Sequence, residues 1–362
     1  MARPAPADVP MWRLALPMTL SNLTVPLVGM VDTAVVGRIG VADIGAVALG
    51  SSVFAFVCWV FVFIRMGTTG FAAQAWGAGN VRELSNWAVR AFLAAAVIGV
   101  ILVLLSMPLR WLALLVTDPA PGVAPFADRY LAIRMWSAPA VLVNFAAVGL
   151  LLGWQRADLV LAHQLLVNVL NCGLDLWLGV HLGYGLAGVA WASVLAEWSG
   201  LVLAVGMTIA LARRQGAPLD WRAVRDTPAL RRALRVNGDI FLRTLLAVGS
   251  VMLFTAVGSR MGELILAANG ILFLLQTLVA YGLDGFAHAA ETLVGSAAGR
   301  RDRASLRRAV LSTTRWAAVV AMLFTATFLG AGSHIVATMT DIPEVQSTVA
   351  LFLPWAIVLP LV

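Results

Sequence analysis

The acidic and imidazole side chains that fall well inside long apolar runs of this sequence are Asp32, Asp175, Glu197, Asp284, His288 and Glu291. An ionised group in hydrocarbon is expensive unless it faces a cavity, water or a partner, so each is a candidate for function. Asn168, Asn171 and Asp175 are spaced i, i+3, i+7, which places them within about 60° of one helical face. Carboxylates beside amides suit the binding of a proton, a hard cation or a positively charged organic group; the alternative for such a stripe is interhelical hydrogen-bond glue. Asn144 and Ser193, in neighbouring apolar runs, are placed to complete the same pocket. Thr277, Tyr281, Asp284, His288 and Glu291 share a second face, where Tyr281, Asp284 and Glu291 are further candidates for lining a substrate cavity; pairing of the acids with Arg65 or Arg243 is the alternative. His288 and Glu291 without a third ligand make no zinc site. No DDxxD run, nucleophile with a base near the membrane surface, or nucleotide-binding motif is present, so neither an enzyme nor an ATP-driven machine is expected.

The elements that must position these groups are membrane spans. Of 362 residues, 61% are apolar and 12% charged, about half the charged fraction of a soluble domain. Ten apolar runs are each long enough to cross roughly 30 Å of hydrocarbon: residues 11–37, 43–76, 86–116, 123–153, 159–181, 185–212, 236–259, 264–298, 307–333 and 345 to the end. The net charge of +7 sits in short loops between them and implies topology, with no nucleic-acid partner. Arg3, Arg13, Arg82, Arg90 and Arg156, seven arginines between Arg213 and Arg235, and five between Arg300 and Arg308 fall on one side, against Arg38, Arg110, Arg129 and Arg260 on the other, with Arg134 just inside the fourth span. This bias puts the N-terminus in the cytoplasm. Cys58 and Cys172 lie within apolar runs and read as packing groups.

A repeat divides the chain. Residues 30–40, MVDTAVVGRIG, align with residues 252–262, MLFTAVGSRMG, at an offset of 222 with six identities, and AQAWGAGN at Ala73 corresponds to GSAAGRRD at Gly295. The first span thus pairs with the seventh and the second with the eighth, so the halves enter the bilayer in the same direction, a transporter architecture with the path between lobes. The expected organisation is an all-α polytopic bundle: a six-helix N-terminal lobe at 1–212, a basic cytoplasmic linker at 213–235, and a C-terminal lobe at 236–362. Six helices per lobe would total twelve; the sequence ends in the fourth helix of the second lobe, and a piece of a longer chain lacking the last two to three helices is expected. The repeat also supplies an internal control, because Asp32 corresponds to Phe254. The scaffold itself needs no carboxylate there. Pro17 and Pro26 precede Asp32, each removing a helical hydrogen bond and permitting a kink, so a bendable helix carrying a titratable acid reads as a conformational switch.

The stretches ALPMTLSNLTVPLVGMVDTAVVGRIG, MGTTGFAAQAWGAGN, NVLNCGLD, GLAGVAWASVLAEW and AANGILFLLQTLVAYGLDGFAHAAETLVG together resemble the multidrug and toxic compound extrusion (MATE) transporters, most closely their bacterial DinF-like branch. The resemblance implies a two-lobed antiporter that expels organic cations in exchange for protons or sodium ions. On it, the family's first-helix aspartate falls on Asp32, its fifth-helix acid on Asp175 with the polar neighbour Asn171, its bending proline on Pro17 and its sixth-helix hydroxyl on Ser193. The expected protein is a monomeric, multi-pass protein of the bacterial plasma membrane, with organic cations and the lipid bilayer as partners and no cofactor besides the coupling ion. Weighed against it are a lipid-linked precursor flippase, whose anionic headgroup should demand arginines in the cavity, and an intramembrane transferase.

Overall fold

The computed structural model describes residues 9–37, 41–217 and 219–361, with the side chains of residues 25–28, 30, 33, 41, 42, 256 and 259 left aside. Arg3, Arg38, Pro218 and the side chain of Pro26 therefore lie outside the described residues. The helices are α1 (Trp12–Val36), α2 (Val41–Trp59), α3 (Phe63–Gly77), α4 (Val81–Leu104), α5 (Ser106–Thr117), α6 (Ala124–Arg134), α7 (Ala138–Gly153), α8 (Ala157–Leu174), α9 (Gly185–Arg214), α10 (Thr227–Arg260), α11 (Glu263–Arg300), α12 (Arg303–Met339) and α13 (Pro343–Val358). Among the described residues there is no strand, and nine segments are apolar and long enough to cross a bilayer. The 25-residue α1 makes a tenth. The protein is an all-α, multi-pass membrane protein.

The spans differ from their sequence reading where the winding breaks. The second is two helices, α2 and α3, joined by a turn at residues 60–62. The third ends at Leu104; Pro108, in the first turn of α5, has no N–H to offer the Leu104 carbonyl, and α5 buries none of its residues. The fourth is interrupted between α6 and α7 by a 3-10 turn, Met135–Ser137, just before Pro139. In the fifth, the winding after α8 widens to a π-helix over Asp175–His181, a distortion often found at functional sites. The polar stretch before the seventh span is shorter than read, because α10 starts at Thr227, where Asp226 Oδ1 accepts the Ala229 N–H at 3.1 Å. The other oxygen of Asp226 takes Arg90 Nη2 at 2.8 Å, while Arg90 Nη1 reaches Glu83 at 2.7 Å and Nε donates to the Ala223 carbonyl at 3.0 Å. Arg90, counted above as a loop charge, is buried and ties the linker to α4.

The repeat recurs in loop chemistry. Gly79 and Arg301, one offset apart, both adopt left-handed φ, 66° and 57°. The next residues, Asn80 and Asp302, cap α4 and α12, Asn80 through Glu83 N and Asp302 through Ala304 N and Ser305 N. The Ser305 hydroxyl, with these backbone donors, holds the Asp302 carboxyl below the usual carboxylate range. This stabilisation is present above the unfolded value, about 3.9, and fades as pH falls through the lowered one.

The two halves meet where α3 crosses α11, and the contact is reciprocal. A Cβ at Gly77 would run into the carbonyl oxygen of Ser296, and one at Gly299 into the carbonyl oxygen of Gln74; 77 pairs with 299, and 74 with 296, at the repeat offset. Ala73 touches its own repeat mate, since a Cβ on Gly295 would stand 2.9 Å from Ala73 Cβ. Likewise Gly285 packs on the Ala15 and Thr19 backbone of α1, and the equivalent position across the interface is filled by Phe63 edge-on to Phe241, 5.8 Å between centroids. This is the self-complementary pattern of a two-fold interface, with the axis through residues 73 and 295. These contacts all lie toward the end marked by the 78–80 and 301–302 turns. Backbone-on-backbone packing of small residues is how helices associate in lipid.

Gly77→Val or Gly299→Val should therefore destabilise the folded chain by at least about 1–3 kcal/mol through overpacking. Gly249→Ala, in a helix with nothing near its Cβ position, should match or exceed wild type. Thermal unfolding in detergent checks this; equal midpoints for all variants would contradict the interface.

Candidate functional site

A cavity of about 400 Å³ opens inside the first lobe, lined by side chains of α1, α2, α6, α7, α8 and α9. Asp32, Asn144, Asn168, Asn171 and Ser193 all face it. Asp175, fully buried, stands behind Asp32 with the two carboxyl groups within hydrogen-bonding reach of each other. Neither oxygen of Asp175 finds a donor elsewhere in the protein, and Oδ1 of Asp32 is likewise buried without one. Two carboxylates are acceptors only. Contact between them calls for one proton, or another cation, held between the pair.

The helices reach this geometry through side-chain ties. Asn168 Nδ2 donates to Thr24 Oγ1 at 2.6 Å, joining α8 to α1, and its Oδ1 accepts Gln164 Nε2 at 2.9 Å. Asn171 Nδ2 donates to Ser193 Oγ at 3.1 Å, joining α8 to α9. The stripe on α8 thus serves as glue and as wall together, and Asp175 begins the π segment. Gly200 on α9 leaves the space into which Val167, His163 and Asn144 lean; a Cβ there would lie 2.5, 3.0 and 3.2 Å from them.

Four wall residues escaped the sequence reading of the pocket. Glu197, noted only as a titratable group, accepts Asn144 Nδ2 at 3.0 Å. Arg134 Nη2 lies 4.0 Å from Glu197 Oε1, and its guanidinium covers the Phe54 ring at 4.2 Å. Tyr130 shares a 3.0 Å hydrogen bond with Ser51. His163 is buried on the cavity wall. The available signal for Arg134 was its position, an arginine inside an apolar span.

The second polar face lies elsewhere. Tyr281, Asp284 and Glu291 do not line this cavity. Arg65 Nη1, from α3, meets His288 Nδ1 at 2.8 Å and Glu291 Oε2 at 3.4 Å across the lobe interface. Arginine only donates, so Nδ1 of His288 accepts and the ring proton resides on Nε2. Asp284 is within electrostatic range of His288 and Arg65. Glu291 is occupied by an interlobe ion pair, the alternative raised for it above. Pro17 lies within α1, which runs unbroken to Val36. Among the described residues no group of three or more His, Cys, Asp or Glu is arranged to hold a metal ion.

A family model described as MatE matches residues 17–177 and again residues 240–361, starts separated by nearly the repeat offset. DNA damage-inducible protein F of Escherichia coli K12 is 38% identical over 357 residues, 98% of this chain and 78% of that protein. A probable multidrug resistance protein NorM of Xanthomonas campestris is 28% identical over 323 residues, 82% of this chain and 66% of that one. Among solved structures, a crystal structure of MATE in the bent conformation superposes with a TM-score of 0.86 over 97% of this chain and 79% of that one, at 21% identity. An outward-facing multidrug resistance MATE family transporter of the MOP superfamily gives 0.82 over 97% and 78%, also at 21%. At such identity the likeness is one of fold.

If Asn171 and Ser193 are coupled as drawn, a double-mutant cycle with Asn171→Ala and Ser193→Ala should return an interaction of about 0.6 kcal/mol, and at most roughly 2, in unfolding free energy. Additive losses would show that the 3.1 Å contact carries no energy.

Proposed function

This chain belongs to the MatE family, and on that premise we propose that it is a secondary antiporter of the bacterial plasma membrane, expelling organic cations in exchange for protons. The observation that carries the reading is the pairing of two buried carboxyls, Asp32 on the cavity wall and Asp175 behind it, with no donor for either oxygen of Asp175 or for Oδ1 of Asp32. One proton satisfies two touching carboxyls. A proton is held by two carboxyl oxygens alone, whereas a sodium ion would have to recruit further hard oxygen ligands beyond this pair.

In the proposed cycle a cation entering the cavity is drawn by Asp32 and Glu197 and displaces the shared proton. Reprotonation on the other side of the cycle removes the attraction and releases the cation. Protonation also loosens the ties around Asn171 and favours a bend in α1 at Pro17 and Pro26, so ion occupancy and access change together. Each pH unit of gradient supplies about 1.4 kcal/mol and each 100 mV about 2.3 kcal/mol per charge, enough to drive concentrative export without nucleotide. The positive-inside bias supports a cytoplasmic N-terminus. Asp32, Asp175, Asn171, Asn168, Asn144 and Ser193 form the working site. Glu291 and His288 hold the lobes through Arg65, with Asp284 within electrostatic range of the same groups. Because the cavity is built from one lobe of one chain, a monomer suffices. One arginine against three carboxyls leaves it acidic overall, which favours a cation over the anionic headgroup of a flippase substrate.

The test is efflux of a fluorescent cation from vesicles carrying the full-length protein under an imposed proton gradient. Asp32→Asn and Asp175→Asn should each lower the rate at least tenfold, and wild-type efflux should continue without sodium. Full activity in both variants would overturn the site, and efflux driven only by sodium would overturn proton coupling.

A further inference from the structure

Arg134 is the basic group on the cavity wall that proton coupling leaves unused. It ends α6, where the helix passes into the 3-10 turn before α7. Its Nη1 donates to Ser137 Oγ, and the same hydroxyl donates to the Arg134 carbonyl at 2.7 Å. The adjoining 3-10 turn therefore holds the guanidinium in place, with Phe54 beneath it. A cation needed only to neutralise Glu197 would make a short, two-armed pair. Here the approach is single and 4.0 Å long, and the second Glu197 oxygen is given to Asn144. The guanidinium keeps donors for something else, and its field reaches Asp32 and Asp175. The cavity is thus bipolar, with a carboxyl end on α1 and α8 and a guanidinium end on α6.

We propose that Arg134 is an acid-recognising determinant of the cavity, selecting organic cations that also carry a carboxylate or sulfonate. The proposal rests on the transport reading above and specifies its substrate class. A ligand of this kind places its cationic group toward Asp32 and its acid on Arg134, where planar two-armed pairing is available. Glu197 competes with the ligand acid for the same guanidinium.

The test compares rhodamine B with its ethyl ester, one dye with the carboxylate free or blocked. Binding is read by fluorescence anisotropy to the full chain in nanodiscs against empty nanodiscs. The measured quantity is the ratio of the ester Kd to the acid Kd. Arg134→Gln should lower that ratio tenfold or more, Arg134→Lys, which keeps the charge but not the two-armed geometry, should lower it by a smaller factor, and Glu197→Gln, by removing the competitor, should raise it. A ratio that stays within twofold of wild type in Arg134→Gln overturns the proposal, as does a ratio that Glu197→Gln leaves unraised, whatever that variant does to the affinity for both dyes. Should Arg134→Gln fail to fold, Arg134→Lys and Glu197→Gln carry the comparison. If neither dye saturates wild type above empty nanodiscs, the ligand cavity itself is wrong and the proposal falls with it.

Discussion

Two paired buried carboxyl groups, with no donor for either oxygen of Asp175 or for Oδ1 of Asp32, call for one positive particle between them. Much of the first lobe can be understood from that requirement. Asn168 and Asn171 fasten α8 to α1 and α9, Ser193 and Thr24 receive those ties, and the winding of the fifth span widens at Asp175 itself. None of these ties uses the Asp175 oxygens. The pair is left with a demand that the protein does not meet, and a mobile ion can meet it. A fully satisfied pair would be a structural feature; an unsatisfied one beside a cavity is suited to exchange.

The second lobe supplies the frame against which this exchange can move. The lobes touch through glycine and alanine at a pseudo-two-fold crossing, where Gly77 faces Ser296 and Gly299 faces Gln74. Loop details repeat as well, down to the left-handed residue and the helix cap that follows it. Against this symmetry of backbone the chemistry is one-sided: Asp32 is buried, whereas Phe254 at the equivalent place is exposed. The polar cluster at the interface, Arg65 with His288 and Glu291, joins the lobes at the end where they pack closely. The interface is thus symmetric in backbone and one-sided in chemistry.

The spans were legible because hydrocarbon demands long apolar runs, and the acids stood out because such runs tolerate few of them. Periodicity also grouped Asn168, Asn171 and Asp175, since neighbours on one helix face follow from spacing alone. Partners across helices do not. Glu291 and Arg65 are 226 residues apart, and nothing in the spacing of either chooses between a cavity and an ion pair. Arg134 read as a charge near a helix end because its 3-10 turn, which holds it on the cavity wall, depends on tertiary packing around Ser137 and Pro139. Arg90 read as a loop charge for the opposite reason: its buried position is created by a linker that folds back over α4. The breaks at residues 60–62 and at the start of the π segment had no proline to announce them, whereas Pro108 and Pro228 marked changes in winding that composition had smoothed over.

The central claim is that a ligand cation and a proton compete for the Asp32–Asp175 pair. It is tested most directly by adding saturating organic cation to the purified full-length protein in weakly buffered, sodium-free solution with a pH indicator. The account predicts release of close to one proton per bound cation in wild type and none in Asp32→Asn or Asp175→Asn. Binding of the cation by wild type with no proton released across the range from pH 6 to 8 would contradict it.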